Sequence, residues 1–149
     1  DYALIVTPYY NKPNQEGLFQ HFIKIADSVE IPQILYNVPS RTACDLSPQT
    51  VSRLAEHQNI IGIKEALDSS ERLSELIRIS QSIADQKNFS IFSGDDPSFN
   101  SFMANGGDGV ISVAANIVPK YISQICSLNL SVPASLSKLS VKKFSLSGL

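Results

Sequence analysis

The chain has 149 residues, 43% of them hydrophobic and 17% charged, with a formal net charge of -2. This is enough for one domain around one core, and the near-neutral balance, with no basic run interleaved with aromatics before the last quarter, gives no sign of a nucleic-acid or anionic-membrane surface. No apolar stretch approaches the ~20 residues of a membrane span, and the two cysteines and two histidines lack metal-ligand spacing, so a cytoplasmic protein with reduced thiols and no metal is expected.

The first strand is expected over Ala3 to Thr7, entered almost directly from Asp1, which suggests a piece of a longer chain. A helix follows from about Gln15 to Val29, with Leu18, Phe22, Ala26 and Val29 on one face. The second strand is Gln33 to Asn37. The next helix has a marked start: Ser47 can cap the free amides, and Pro48 suits the first helical position because its missing N–H would go unpaired there anyway. Val51, Leu54 and Ala55 form its inner stripe.

Ile60 to Lys64 is the third strand, in which alternation places Ile61 and Ile63 on one face and Gly62 and Lys64 on the other. A helix beginning near Asp68 to Ser70 carries Leu73, Leu76, Ile77 and Ile83. After the fourth strand, Ser90 to Ser93, the pair Asp96-Pro97 reads as cap and first turn of a short helix burying Phe99, Phe102 and Met103. The glycines of Gly106-Gly107-Asp108-Gly109 permit a tight entry into the fifth strand, Gly109 to Val113. Asn116 is expected to cap a last helix holding Tyr121, Ile122 and Ile125. From Ser127 the pattern becomes a Ser, Leu and Lys mixture without acidic residues, so 1-126 reads as the domain and 127-149 as an aberrant or disordered tail.

Strands and helices in strict alternation imply parallel pairing with right-handed crossovers, which leaves a doubly wound sheet or a β/α barrel. No G-x-G-x-x-G follows any strand, which lowers the dinucleotide-binding option. Tyr9, Tyr10, Tyr36, Lys64, Asp95 and Ser112 all fall at or just beyond the carboxyl ends of strands, and in a barrel those ends converge on one active-site face.

Lys64 would point into such a barrel beside a residue with no side chain. Desolvation lowers a lysine pKa and makes the amine a usable nucleophile for a carbonyl carbon; a structural lysine would instead snorkel out or pair with an acid such as Glu65, which alternation aims at the opposite face. Tyr36, one strand earlier and pointing the same way, could relay a proton or simply pack its ring. Arg41 is expected on a loop over the mouth, where it either forks a carboxylate or is solvated. Tyr9 and Tyr10 serve the mouth or an interface. Asp96 is expected to be spent as a helix cap, and Asp95 to be solvated rather than part of the site.

Five motifs carry a family resemblance in order and spacing: Val6-Thr7-Pro8-Tyr9-Tyr10-Asn11, Tyr36-Asn37-Val38-Pro39-Ser40-Arg41-Thr42, Gly62-Ile63-Lys64-Glu65-Ala66, Ser93-Gly94-Asp95-Asp96 and Gly109-Val110-Ile111-Ser112-Val113. Across roughly Asp1 to Ile125 the chain resembles the dihydrodipicolinate synthase family of pyruvate-dependent class I aldolases. The related N-acetylneuraminate lyases share the tyrosine and lysine strands, but the arginine of Ser40-Arg41-Thr42 favours the synthases.

The resemblance implies an α/β fold that is a partial TIM (β/α)8 barrel, strands four to eight of the full barrel. It implies that Lys64 forms an imine with pyruvate, whose enamine attacks aspartate semialdehyde on the route to diaminopimelate and lysine, with no metal and no organic cofactor. Tyr36 becomes the proton-relay phenol, and Tyr10 a tyrosine lent across a tight dimer interface within a homotetramer. Arg41, Gly94 and Ile111 become substrate-binding positions, with the backbone around Ile111 placing the pyruvate carboxylate. The first three strands and their paired-threonine segment have no counterpart, nor has the family's helical carboxyl-terminal part. Another pyruvate aldolase, or a catalytically incomplete fragment with two open sheet edges, remains the alternative.

Overall fold

A computed structural model describes residues 1–131, with side chains as far as Leu128. All five expected strands form: β1 (Ala3–Val6), β2 (Gln33–Asn37), β3 (Ile60–Glu65), β4 (Ser90–Ser93) and β5 (Gly109–Val110). They pair in the order β1-β2-β3-β4-β5, each pair parallel. A doubly wound sheet reverses its strand order at a switch point; a consecutive order lets every right-handed crossover return on the same side, which is barrel winding. The fold is α/β, an open strip of β/α barrel with β1 and β5 at its edges.

The helices are α1 (Gln15–Ser28), α2 (Pro39–Thr42), α3 (Pro48–Ala55), α4 (Ser70–Ser82), α5 (Phe99–Ala104) and α6 (Pro119–Ser131), with a 3-10 turn at Ala114–Asn116. Their starts follow the capping rules. The side chains of Asn14, Ser47 and Ser69 accept from the amides of Gly17, Thr50 and Arg72, satisfying donors that have no partner inside the first turn. Leu18, Phe22 and Ala26 of α1 are buried as their spacing predicts, whereas Val29 caps the helix in extended conformation and is exposed. Among the described residues no helix is long and apolar enough to cross a membrane.

The core lies between the helices and one face of the sheet. Leu35, Ile63 and Ile91 pack there with Leu18, Phe22, Val51, Leu54, Leu73 and Leu76, all essentially out of water. Each such side chain contributes about 1.5 to 3 kcal/mol of hydrophobic stabilisation.

Four local expectations are corrected. Gln33 pairs with Ile60 but Ile34 with Gly62, so β3 carries a bulge, and Ile60 rather than Ile61 joins Ile63 in the core. Asp96 does not cap α5: Asp95 Oδ2 accepts from the Ser98 amide at 3.0 Å and the Ser98 hydroxyl at 2.6 Å, and so holds that turn. Asn116 ends the 3-10 turn instead of opening the last helix, which starts at Pro119, where proline fits the first turn. The fifth strand stops at Val110, although the Ile111 amide still reaches Ser93 O at 3.0 Å, because the amides of Val113 and Ala114 turn to Asp96. Helix α6 runs past Ser127 to Ser131, and the rest of the expected tail lies outside the described residues.

Candidate active site

Parallel register aligns Val6, Tyr36, Lys64 and Phe92 in one row across four strands, on the face opposite the helices. Two further contacts continue the ladder beyond the strands, Ala66 N to Asn37 O at 3.0 Å and Gly94 N to Glu65 O at 2.7 Å. The carboxyl ends of β2, β3 and β4 therefore meet at Lys64.

Lys64 is only 7% exposed. Its ammonium sits over the Tyr36 ring, 4.2 Å from the centroid, and among the described residues no carboxylate lies within ion-pair distance of it. Burial pushes the ammonium below the ordinary lysine value, against a smaller opposing pull from the negative charge of Asp96. A lysine held this way is the kind of amine that attacks carbonyl carbon, since the neutral form is the nucleophile.

Glycine makes room for this lysine. A Cβ at Gly94 would stand 3.0 Å from Lys64 Cε and 3.2 Å from Cγ, so the lysine stem rests directly on the Gly94 backbone. A Cβ at Gly62 would fall 2.5 Å from Ser90 O, so only glycine allows β3 and β4 to approach at that point.

Glu65 is not the partner of Lys64. It faces the helices, fully buried, and accepts from Asn37 Nδ2 at 3.0 Å, Leu67 N at 2.9 Å and Arg72 Nη1 at 3.2 Å. Arg72 also bonds Asp45 through both nitrogens, at 3.1 and 2.5 Å, and Leu46 O at 2.9 Å. Burial raises the Glu65 carboxyl above its usual range even though Asn37, the Leu67 amide and Arg72 all oppose it. Burial acts on Asp45 in the same upward sense, but there the bonds from Arg72 and Asn37 outweigh it and the carboxyl is held low. This cluster ties the ends of β2 and β3 to the start of α4 and to the α2–α3 connection. Sequence reading missed it, because nothing in the spacing of Asn37, Asp45, Glu65 and Arg72 marks them as one cluster.

The other expected site residues divide. Tyr36 and Gly94 touch Lys64, and Ile111 sits where β5 leaves the sheet, bonded to Ser93. Arg41 lies not on a loop but in the single turn α2, started by Pro39 and ended by Ala43 in the left-handed region at φ 54. Its side chain is exposed, and no hydrogen bond joins it to Lys64. Tyr9 and Tyr10 are 69% and 89% exposed after β1. Asp95, expected to be solvated, is engaged with Ser98.

A cavity of about 300 Å³ opens at the opposite, amino end of the strands, lined by Ser80, Lys87, Phe89 and Asp108 among others. It is not where the row of site residues points. Lys87 there donates to the carbonyls of His57 and Ile60, fastening the entry of β3.

The profile of the Dihydrodipicolinate synthetase family matches residues 1–134. The chain is 50% identical over 126 residues to the 4-hydroxy-tetrahydrodipicolinate synthase of Methylococcus capsulatus, covering 85% of this chain and 42% of that protein. It is 56% identical over 125 residues to the enzyme of the same name from Buchnera aphidicola subsp. Schizaphis graminum, covering 84% and 41%. Among solved structures, dihydrodipicolinate synthase from Acinetobacter baumannii complexed with pyruvate superposes with a TM-score of 0.80 at 46% identity, over 93% of this chain and 46% of that one. The chain thus spans about 42% of the length of the curated relatives it matches.

Proposed function

Since the chain belongs to the Dihydrodipicolinate synthetase family, we propose that its Lys64 serves a 4-hydroxy-tetrahydrodipicolinate synthase reaction, condensing pyruvate with L-aspartate 4-semialdehyde in diaminopimelate and lysine biosynthesis. The observation that carries this is the buried Lys64 ammonium, without an ion pair among the described residues and lying over the Tyr36 ring at the carboxyl end of β3.

The neutral amine adds to C2 of pyruvate; the carbinolamine takes a proton on its oxygen and loses water, giving an iminium. Loss of a C3 proton leaves the enamine, whose carbon attacks the aldehyde. Tyr36, whose ring lies under the ammonium, is assigned the shuttling of these protons. Arg41 and the backbone at Gly94 and Ile111 are assigned to substrate carboxylate and aldehyde, and Tyr10 to the same relay across a subunit interface in a homotetramer of tight dimers. A cytoplasmic location goes with this reading.

Mass spectrometry after borohydride reduction with pyruvate tests it. A pyruvate-derived adduct on Lys64, absent from Lys64→Ala, is the expected result. A folded chain that yields no adduct would make this stretch a catalytically incomplete part of the longer relatives' barrel.

A further inference from the structure

Asp96 stands outside the chemistry above, yet it is joined to two parts of the site. Gly94, two residues earlier, supports the Lys64 stem, so the chain leaving β4 passes beside the amine. Asp96 Oδ2 then reaches across to accept from Val113 N at 3.2 Å and Ala114 N at 2.9 Å, which sets the turn after Ile111. Its other oxygen, Oδ1, is buried and has no hydrogen-bond partner. Asp96 as a whole is half-buried, and the oxygen turned from water is the less screened of its two.

We propose that Asp96 is a positioning residue for the lysine site: one oxygen fixes the turn after β5, and the charge of the carboxylate balances the Lys64 nitrogen as ammonium and as iminium. The proposal rests on the Schiff-base reading for its second half only.

Among the described residues no other charged group competes for this role. From β2, Lys64 faces the Tyr36 phenol. Glu65, its neighbour on β3, faces the helices and is held by Arg72, and Asp95 is tied to Ser98. The turn after β5 offers Ser112, which helps to hold the Asp96 carboxyl low, and no charged side chain. Arg41 on α2 is exposed and makes no ion pair among the described residues. The coupling shows from both sides, because Lys64 helps to hold the Asp96 carboxyl low while Asp96 opposes the loss of the Lys64 proton.

The sign follows. A nearby negative charge favours the protonated amine, so neutralising Asp96 makes Lys64 lose its proton at lower pH. The fixed turn is a separate property: asparagine keeps an oxygen acceptor for Val113 and Ala114, and alanine does not.

The test uses the whole chain and three forms, unaltered, Asp96→Asn and Asp96→Ala. First, without pyruvate, the Lys64 ¹³Cε resonance, assigned with Lys64→Ala, is titrated. Asp96→Asn is expected to lower the midpoint by roughly half a unit to one unit, the scale of one charge acting across several ångströms of partly buried space. An unchanged midpoint overturns the proposal, whether or not pyruvate binds. Second, pyruvate adducts are trapped with cyanoborohydride across pH. Here Asp96→Asn should displace the pH profile in the same direction with half-saturating pyruvate kept within twofold. Asp96→Ala should show the same displacement and at least a fivefold higher half-saturation. Equal half-saturation in the two variants overturns the turn-fixing half. No adduct on the unaltered chain would defeat the Schiff-base reading, while the ¹³C titration still decides the charge.

Discussion

A methyl group at position 94 fits only if a neighbour gives way by a few tenths of an ångström. It would meet Lys64 Cε and Ala66 Cβ at 3.0 Å, and the lysine stem is the part that can yield. Gly94→Ala is therefore expected to cost only about 1 kcal/mol of stability, within the ordinary range for overpacking. Even a shift of this size at a reacting nitrogen is more damaging to chemistry than to stability, so trapping of pyruvate should slow roughly threefold to tenfold. Urea unfolding with adduct kinetics separates the two effects, and a variant that traps at the original rate would show that Gly94 does not set the amine. The motif Ser93-Gly94-Asp95-Asp96 was visible in the sequence, and so was Lys64. Which aspartate caps α5 and which reaches over to the next turn was not, because adjacent carboxylates have the same local propensity.

Strand β3 carries its nucleophile on one face and Glu65 on the other, so the helix-side network holds the strand end that presents Lys64. Arg72 and Glu65 have almost no solvent exposure, which makes the pair costly to break from one side. Arg72→Met should destabilise the chain by about 3 to 5 kcal/mol at pH 7, the usual cost of stranding a buried charge. The Glu65 carboxyl, already raised by burial, rises further in that variant. A carboxyl whose folded value lies above its unfolded one contributes stability at low pH and loses it as pH rises, so the variant's deficit should shrink between pH 7 and pH 5. Asp45 acts in the opposite direction and in another window: its depressed carboxyl stabilises above the ordinary carboxylate value of about 3.9 and fails below it. Urea midpoints at the two pH values check this, and an equal deficit at both would mean that Glu65 is not the stranded charge.

Across the molecule, the consecutive strand order leaves β1 and β5 each with one unpaired edge. Tyr2 and Leu4 beside the β1 edge are exposed, and His21 Nε2 covers one part of it, meeting Val6 O at 3.3 Å. Open parallel edges beside apolar side chains template pairing with another chain. Sedimentation velocity over a range of concentrations should reveal self-association, and Leu4→Lys should reduce it, since an edge lysine is a standard guard against edge pairing. Association unaffected by Leu4→Lys would move its cause to another surface, such as the exposed Val113, Ile117 and Tyr121 around α6.

The sequence by itself determined the five strands, the starts of α1, α3 and α4, the parallel alternation and the lysine with its tyrosine neighbour. Those features follow from rules that act over a few residues: apolar periodicity, side chains that bond their own next turn, and proline where no N–H is needed. Tertiary structure alone decided the bulge that substitutes Ile60 for Ile61, the one-turn helix under Arg41, the cluster of Asn37, Asp45, Glu65 and Arg72, and the reach of Asp96 to Val113. The bulge depends on the register between two strands, the reach of Asp96 on packing across 17 residues of chain, and the cluster on bringing Asn37 to Glu65 across 28. A polar group removed from water takes whichever partner the fold delivers, and sequence spacing does not record that delivery.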